Sequence, residues 1–172
     1  MKKLVLSISM LITVISCDYS AVTSSVCANN PSDIQGIEGE FSATLMGEEL
    51  LFKIVKDTTQ GSYIVTMGDD EEESQMKTCV INNISYAEIL DSGKSNKVEF
   101  TIYTVEVFNN TKMSITDVSF DKEVLESNGI AYKIIENGIG GENLMVENYF
   151  STNEELSKAF VPGNLSLLMT RK

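Results

Sequence analysis

The sequence predicts an all-β domain, an antiparallel meander curled into a barrel with two short helices; a two-sheet β-sandwich is the alternative. Three observations carry this reading. Apolar and polar residues alternate with period two through most of the chain beyond residue 40. Clusters of Gly, Asn and Asp interrupt the alternation where hairpin turns belong. The connections between alternating runs are short enough for antiparallel neighbours. At 172 residues, 42% of them apolar, with eleven Gly and two Pro, the chain fits one globular domain and excludes collagen and extended disorder.

The first element lies outside that domain. Lys2 and Lys3 precede an uncharged apolar run from Leu4 to Ile15, followed by Ser16 and Cys17. This is the three-part plan of a secretory signal peptide, assigned to residues 1–16. The run is shorter than the roughly 20 apolar residues that cross a bilayer. Val14, Ile15 and Ser16 directly before Cys17 resemble the lipobox of bacterial lipoproteins, with an aliphatic residue three positions ahead of the Cys and a small one just before it. The resemblance implies cleavage before Cys17 and a diacylglycerol thioether on its sulfur. That places the chain in a bacterial cell envelope, lipid-anchored on the exported side of the inner or outer membrane. Each buried CH₂ of such an anchor contributes about 0.8 kcal/mol, so two or more acyl chains hold durably.

Residues 17–33, rich in Ser, Thr, Ala and Asn with Pro31 near the end, have the composition of a flexible tether, and residues 34–172 make up a single β-rich domain. Removing residues 1–16 takes Lys2 and Lys3 and no acid, which leaves 11 basic against 25 acidic residues, a net charge of −14. Such a field disfavours nucleic acid and anionic lipid surfaces and favours a basic protein partner or divalent cations. In an oxidising exported compartment Cys27 and Cys79 are expected to form a disulfide that ties the tether's end to the domain.

Within the domain, Phe41, Ala43 and Leu45 alternate with polar residues, and the apolar set resumes at Leu50, Phe52 and Ile54. A two-residue turn at Gly47 and Glu48 predicts Leu45 opposite Leu50, Ala43 opposite Phe52 and Phe41 opposite Ile54. A four-residue loop from Thr58 to Gly61 then brings Val65 to Ile54 and Met67 to Phe52. A second meander runs from Lys77 to Ile81, turns at Asn82 and Asn83, and returns from Ile84 to Leu90. Asp91 to Asn96 is turn-rich. Lys97–Phe108 and Lys112–Phe120 form the longest hairpin, and a three-residue loop sets Val107 against Met113, Val105 against Ile115, Ile102 against Val118 and Phe100 against Phe120. The apolar parity switches near Tyr103 and Thr104 and near Thr116 and Asp117, which predicts a bend or bulge at that level.

Asp121 is a cap for a short helix through Ser127, ended by Gly129. Strands are expected at Ile130–Ile135 and Leu144–Phe150 around the turn Gly138–Gly141. Thr152 and Glu155 form a capping box for a second helix to about Phe160, before Pro162 and Gly163, and Leu165–Thr170 is a last strand. Many antiparallel strands, then a helix, then a closing strand resemble the lipocalin-like β-barrels of the calycin group. Gly39, Glu40 and Phe41 are similar to the Gly, any residue, Trp of that family's first strand, with Phe in the Trp place; the lone Arg is Arg171 at the end. The resemblance implies an apolar ligand in the barrel.

The sequence offers little catalytic apparatus. There is no His and no Trp, so an imidazole general base or metal ligand is lacking, and no cofactor or metal site is implied. Asp69–Glu73 is an uninterrupted acidic run without the spacing of a calcium loop. Glu38 with Glu40, and Asp117 with Asp121, are the carboxylate pairs a glycosidase-like hydrolase would need. Asp117 faces Tyr103 at the bend, where burial would raise its pKa. The dispersed Met46, Met67, Met76, Met113, Met145 and Met169 read as core filling. The first functional expectation is a membrane-anchored envelope lipoprotein with a non-catalytic binding domain for an apolar small molecule or a protein. Its candidate ligand-binding interior is Phe41, Phe52, Ile54, Phe100, Ile102, Val118 and Phe120. An acidic interaction protein, for example an inhibitor of basic envelope enzymes, is the alternative, and a carboxylate-based hydrolase the third.

Overall fold

In the computed structural model, residues 20–22, 25–28, 31–68, 72–91, 99–136, 142–146 and 158–172 are described. In chain order they form β1 (Ser20–Val22), β2 (Gly39–Leu45), β3 (Glu48–Asp57), β4 (Ser62–Met67), β5 (Glu72–Ile81), β6 (Ile84–Asp91), β7 (Glu99–Asn109), β8 (Lys112–Phe120), the helix α1 (Lys122–Ser127), β9 (Tyr132–Glu136), β10 (Glu142–Val146) and β11 (Phe160–Arg171). β2 to β8 pair in sequence as a meander, and β11 returns to lie between β8 and β2. The β6–β7 ladder completes the ring, so eight antiparallel strands close into a barrel with no open edge. This is the predicted barrel, lipocalin-like in form, and the sandwich is set aside.

Turn chemistry explains which registers were legible. Ile54 faces Val65 and Phe52 faces Met67 across the four-residue loop, as expected. Asn82 and Asn83 both hold positive φ in the β5–β6 turn, and Val107 faces Met113 and Val105 faces Ile115. In the first hairpin the turn is Met46–Gly47, both at positive φ, instead of Gly47–Glu48. This type I′ geometry matches the twist of the strands. It sets Phe41 against Phe52 and Ala43 against Leu50, a slip of two residues that leaves every side chain on its expected face.

The long hairpin differs more. Its ladder stops at Tyr103 and Asp117, and the register shift lies at Val107/Asn109, away from the expected bend. Below that level Phe100 pairs with Val22 of β1, while Phe120, Ser119 and Val118 pair with Phe160, Val161 and Pro162 of β11. β1 thus enters where β8 leaves β7, and it leads in parallel to β10 and so to β9. The switch in apolar parity records a change in which face of the wall is buried. Tyr103, Val105, Met113 and Asp117 point inward, whereas Ile102, Val118 and Phe120 lie on the outer face beneath Val26, Cys27, Leu125, Val146 and Ala159. Phe160 packs there against Tyr86 and Phe120, with ring centroids 5.3 and 5.6 Å away.

α1 forms as read, with the Asp121 carboxylate accepting from the Val124 N–H at 3.0 Å. The second helix, expected from Thr152, falls mostly on residues 152–157, outside the described residues; Phe160, its expected end, instead opens β11. Pro162 and Gly163 lie inside that strand, at a register shift between Pro162 and Ser166 that removes the need for a ladder N–H at the proline. A Cβ on Gly163 would run into the Asp117 carboxylate. Gly163→Ala is therefore expected to lower stability by about 1–3 kcal/mol, and Asp117→Ala in the same background to recover part of it. Urea unfolding of both variants checks this, and an undiminished Gly163→Ala protein would refute the packing argument.

Within the segment expected as a flexible tether, several of the described residues are held to the barrel. Ser20–Val22 is strand, Val26 and Cys27 are buried, and Cys27 is bonded to Cys79 as expected, across 52 positions of chain. The buried Glu88 carboxylate holds this segment, accepting from the Val26 N–H at 2.7 Å, the Cys27 N–H at 3.1 Å and the Ser25 hydroxyl. The Ser32 N–H donates to the Thr78 carbonyl at 2.9 Å and the Thr78 hydroxyl to the Ser32 carbonyl at 2.6 Å. Asp33 accepts from Lys56, whose hydrogen bond holds its pKa below the ordinary value, and from the Tyr63 hydroxyl.

Candidate functional site

Closure of the barrel gathers the inward residues of eight strands into one cluster, and that cluster is covered at one end. Ile34 and Ile37 seat there with Phe41, Tyr63, Met76, Ala87, Met113 and Met169, all buried. The Arg171 guanidinium lies over the Phe41 ring, 4.8 Å from its centroid, and donates to the Gly36 carbonyl at 3.0 Å. Gly39 is required beside it, because a side chain there would meet that guanidinium. Phe41 is thus covered by Arg171, the single Arg of the sequence.

Farther along the barrel the packing is incomplete. A cavity of about 50 Å³ lies among Phe52 and Ile54 of β3, Val65 of β4, Met76 of β5, Ala87 and Ile89 of β6, Tyr103 of β7, Ile115 and Asp117 of β8, and Leu165, Leu167 and Met169 of β11. Phe52, Ile89, Ile115 and Leu167 keep partial exposure, whereas their neighbours one step nearer the covered end are buried. The space is about a third of the roughly 150 Å³ that accepts a benzene ring. It suits a slender group; a lipid would need the side chains to move.

Of the seven candidate interior residues, Phe52 and Ile54 line this cavity and Phe41 belongs to the same cluster under Arg171. Ile102, Val118 and Phe120 belong to the outer cluster, with Phe100 packed against it. The reason is the covering of the outer wall by distant segments, which alternation within one hairpin does not reveal. The inward methionines Met76, Met113 and Met169 are buried, while Met46 is 88% exposed on its turn.

Asp117 is the charged group of the cavity. It is buried, its Oδ1 accepts from the Leu165 N–H at 2.8 Å, and it rests against Gly163. Burial pushes its pKa above the ordinary 3.8, against the lowering effect of the Leu165 N–H. The sequence pairing of Asp117 with Tyr103 located this group. The folded state holds its proton more tightly than the unfolded chain does. Its contribution to stability is thus full below the unfolded value of 3.8 and is lost as pH rises through the raised folded value. Asp117→Asn is expected to flatten the stability profile above about pH 4, read by urea unfolding at several pH values; an unchanged slope would rule Asp117 out as its source.

The other acidic candidates lie apart. Glu38 and Glu40 are exposed at the start of β2, and Asp121 caps α1 while Asp117 faces inward. Asp69–Glu71 and the Gly138–Gly141 turn lie outside the described residues, and Glu72 and Glu73 belong to β5. Among the described residues no group of three or more His, Cys, Asp or Glu is placed to hold a metal ion. Glu88 escaped the sequence reading: its outward parity signals solvent, and only the position of Cys27 hints that a segment covers it. Compared with protein-family models, curated proteins and solved structures, the chain matches none.

Proposed function

We propose that this chain is an exported bacterial envelope lipoprotein, held by lipid on Cys17, whose barrel is a non-catalytic binding module for a small, largely apolar group. The observation that best supports the binding reading is the asymmetry of the interior. One end is covered by Ile34, Ile37 and Arg171, while Phe52, Ile89, Ile115 and Leu167 keep accessible apolar surface around a cavity. Apolar space bounded by a few fixed polar groups is the usual form of a small-ligand site. The anchoring reading rests on Val14, Ile15, Ser16 and Cys17.

Xenon, neutral and small, tests the interior without presuming a ligand. It is expected to shift the methyl resonances of Ile115 and Leu167, and their indifference would remove the interior-binding reading. Metabolic palmitate labelling, expected for the native chain and lost in Cys17→Ser, tests the anchor. The alternative, a basic protein partner, has only the net charge behind it. On the described surface Glu40, Asp33 and Glu49 already pair with Lys53, Lys56 and Lys172.

A further inference from the structure

We infer that the lipid anchor is short and that it holds one wall of the barrel, the outer side of the β7–β8 hairpin, against the bilayer surface. This deepens the anchoring reading and rests on it. Ser20, three residues beyond Cys17, already belongs to the sheet, because β1 pairs with β10 through Ser20, Ala21 and Val22 and with β7 through Val22. Three residues of extended chain span at most about 11 Å, so Cys17 stays within that reach of the wall. A free leash running to Asp33 would instead allow roughly 55 Å.

The direction of β1 selects the wall. It runs antiparallel to β7 with Val22 opposite Phe100, so stepping back to Ser20 moves along β7 toward Ile102 and on toward Phe108. From Tyr103 and Asp117 onward β7 and β8 pair with each other, and behind them Tyr103, Val105 and Met113 are buried facing the interior. The approach to Ser20 is therefore open from the outer side. On that side Phe108 is 52% exposed, Leu168 of β11 54% and Ile84 of β6 46%. They stand on adjoining strands: Leu168 pairs with Ser114 and Ser114 with Glu106, while Ile84 lies two residues before Tyr86, the partner of Thr104. Between them are hydroxyls, with Thr116 bonded to Ser166 at 2.9 Å, and one exposed acid, Glu106, against one exposed base, Lys112. In a mature chain of net charge −14 this wall is close to neutral. Such a surface meets lipid headgroups without the repulsion that an acidic one meets at an anionic leaflet, and its apolar side chains add to the hold of the anchor.

The test places the lipidated chain in phosphatidylcholine nanodiscs that carry a gadolinium-chelating lipid, whose paramagnetism removes the signals of methyl groups close to the headgroups. The methyl signals of Ile84 and Leu168 are expected to be lost, and those of Leu51 and Val55 to persist. Leu51 and Val55, 42% and 46% exposed, are the internal control, because β3 stands four strands from β7 in the ring of eight, on the opposite wall. Loss on both walls alike, on neither, or at Leu51 and Val55 alone overturns the inference and leaves the anchor in place. Cys17→Ser, studied without lipid, is expected to keep all four signals. If those of Ile84 and Leu168 fade there as protein concentration rises, this wall is a contact between copies of the chain, and the bilayer assignment falls. If palmitate labelling finds no lipid on Cys17, the anchoring reading itself falls and the short anchor with it.

Discussion

Glu88→Ala is expected to lower the stability of the protein by about 2–5 kcal/mol, because two backbone N–H groups would lose a shared acceptor in a dry place. Val26 and Cys27 are buried, and both donate to the Glu88 carboxylate, which is itself 1% exposed. The loss therefore includes the desolvation of the orphaned donors as well as the bonds. Truncation also opens a void beneath residues 25–27, next to the cluster of Tyr86, Ile102 and Phe120. Urea unfolding gives the size of the effect, and limited proteolysis should show earlier cutting between residues 25 and 38. A loss below about 1 kcal/mol would mean that these N–H groups find water, and that the segment is not held as described.

Replacing both Cys27 and Cys79 by Ser is expected to remove about 4 kcal/mol, the chain-entropy value for closing a loop of this length. The disulfide joins the entering segment to β5, and the chain continues from it through the Ser32–Thr78 bonds to Ile34 and Ile37, which cover one end of the barrel. Its removal should therefore loosen that cover as well as lower the unfolding midpoint. Faster hydrogen exchange at Ile34 and Ile37 in the Ser variant, at a denaturant concentration where β3 and β4 remain protected, is the accompanying sign. Glu88 and the disulfide hold the same segment. The double loss in a Glu88→Ala, Cys→Ser background should accordingly fall short of the sum. Additive effects would show that the two attachments act independently.

Local chemistry and the wider fold account for different parts of this protein. Met46–Gly47, Asn82–Asn83 and Thr58–Gly61 are turns because their residues tolerate the required dihedrals, and alternation between them assigns the faces of β2 to β6. Where the first hairpin slipped, it slipped by two, since a shift of one would have put the apolar sets of β2 and β3, Phe41 and Phe52 among them, on opposite faces. Asp117 beside Tyr103 was visible from pairing arithmetic alone. Such inferences hold because each depends on residues close in the chain or directly opposite on a strand.

Four of the seven proposed interior residues lie outside the barrel for the converse reason. Phe100, Ile102, Val118 and Phe120 are as apolar as Phe52 and Ile54, and their period is equally regular. What distinguishes them is a cover assembled from residues 26–27, 125, 146 and 159–160, none of which adjoins them in the hairpin. The sequence by itself determined the strand order of the meander, the turns at Thr58–Gly61 and Asn82–Asn83, the disulfide partners and the helix cap at Asp121. Only the tertiary structure decided that β11 closes the ring, that Arg171 lies on Phe41, that Glu88 captures the entering chain and that Asp117 faces an apolar cavity. Alternation records that a side chain avoids water, but whether it does so inside the ring or beneath a distant segment depends on where the rest of the chain returns.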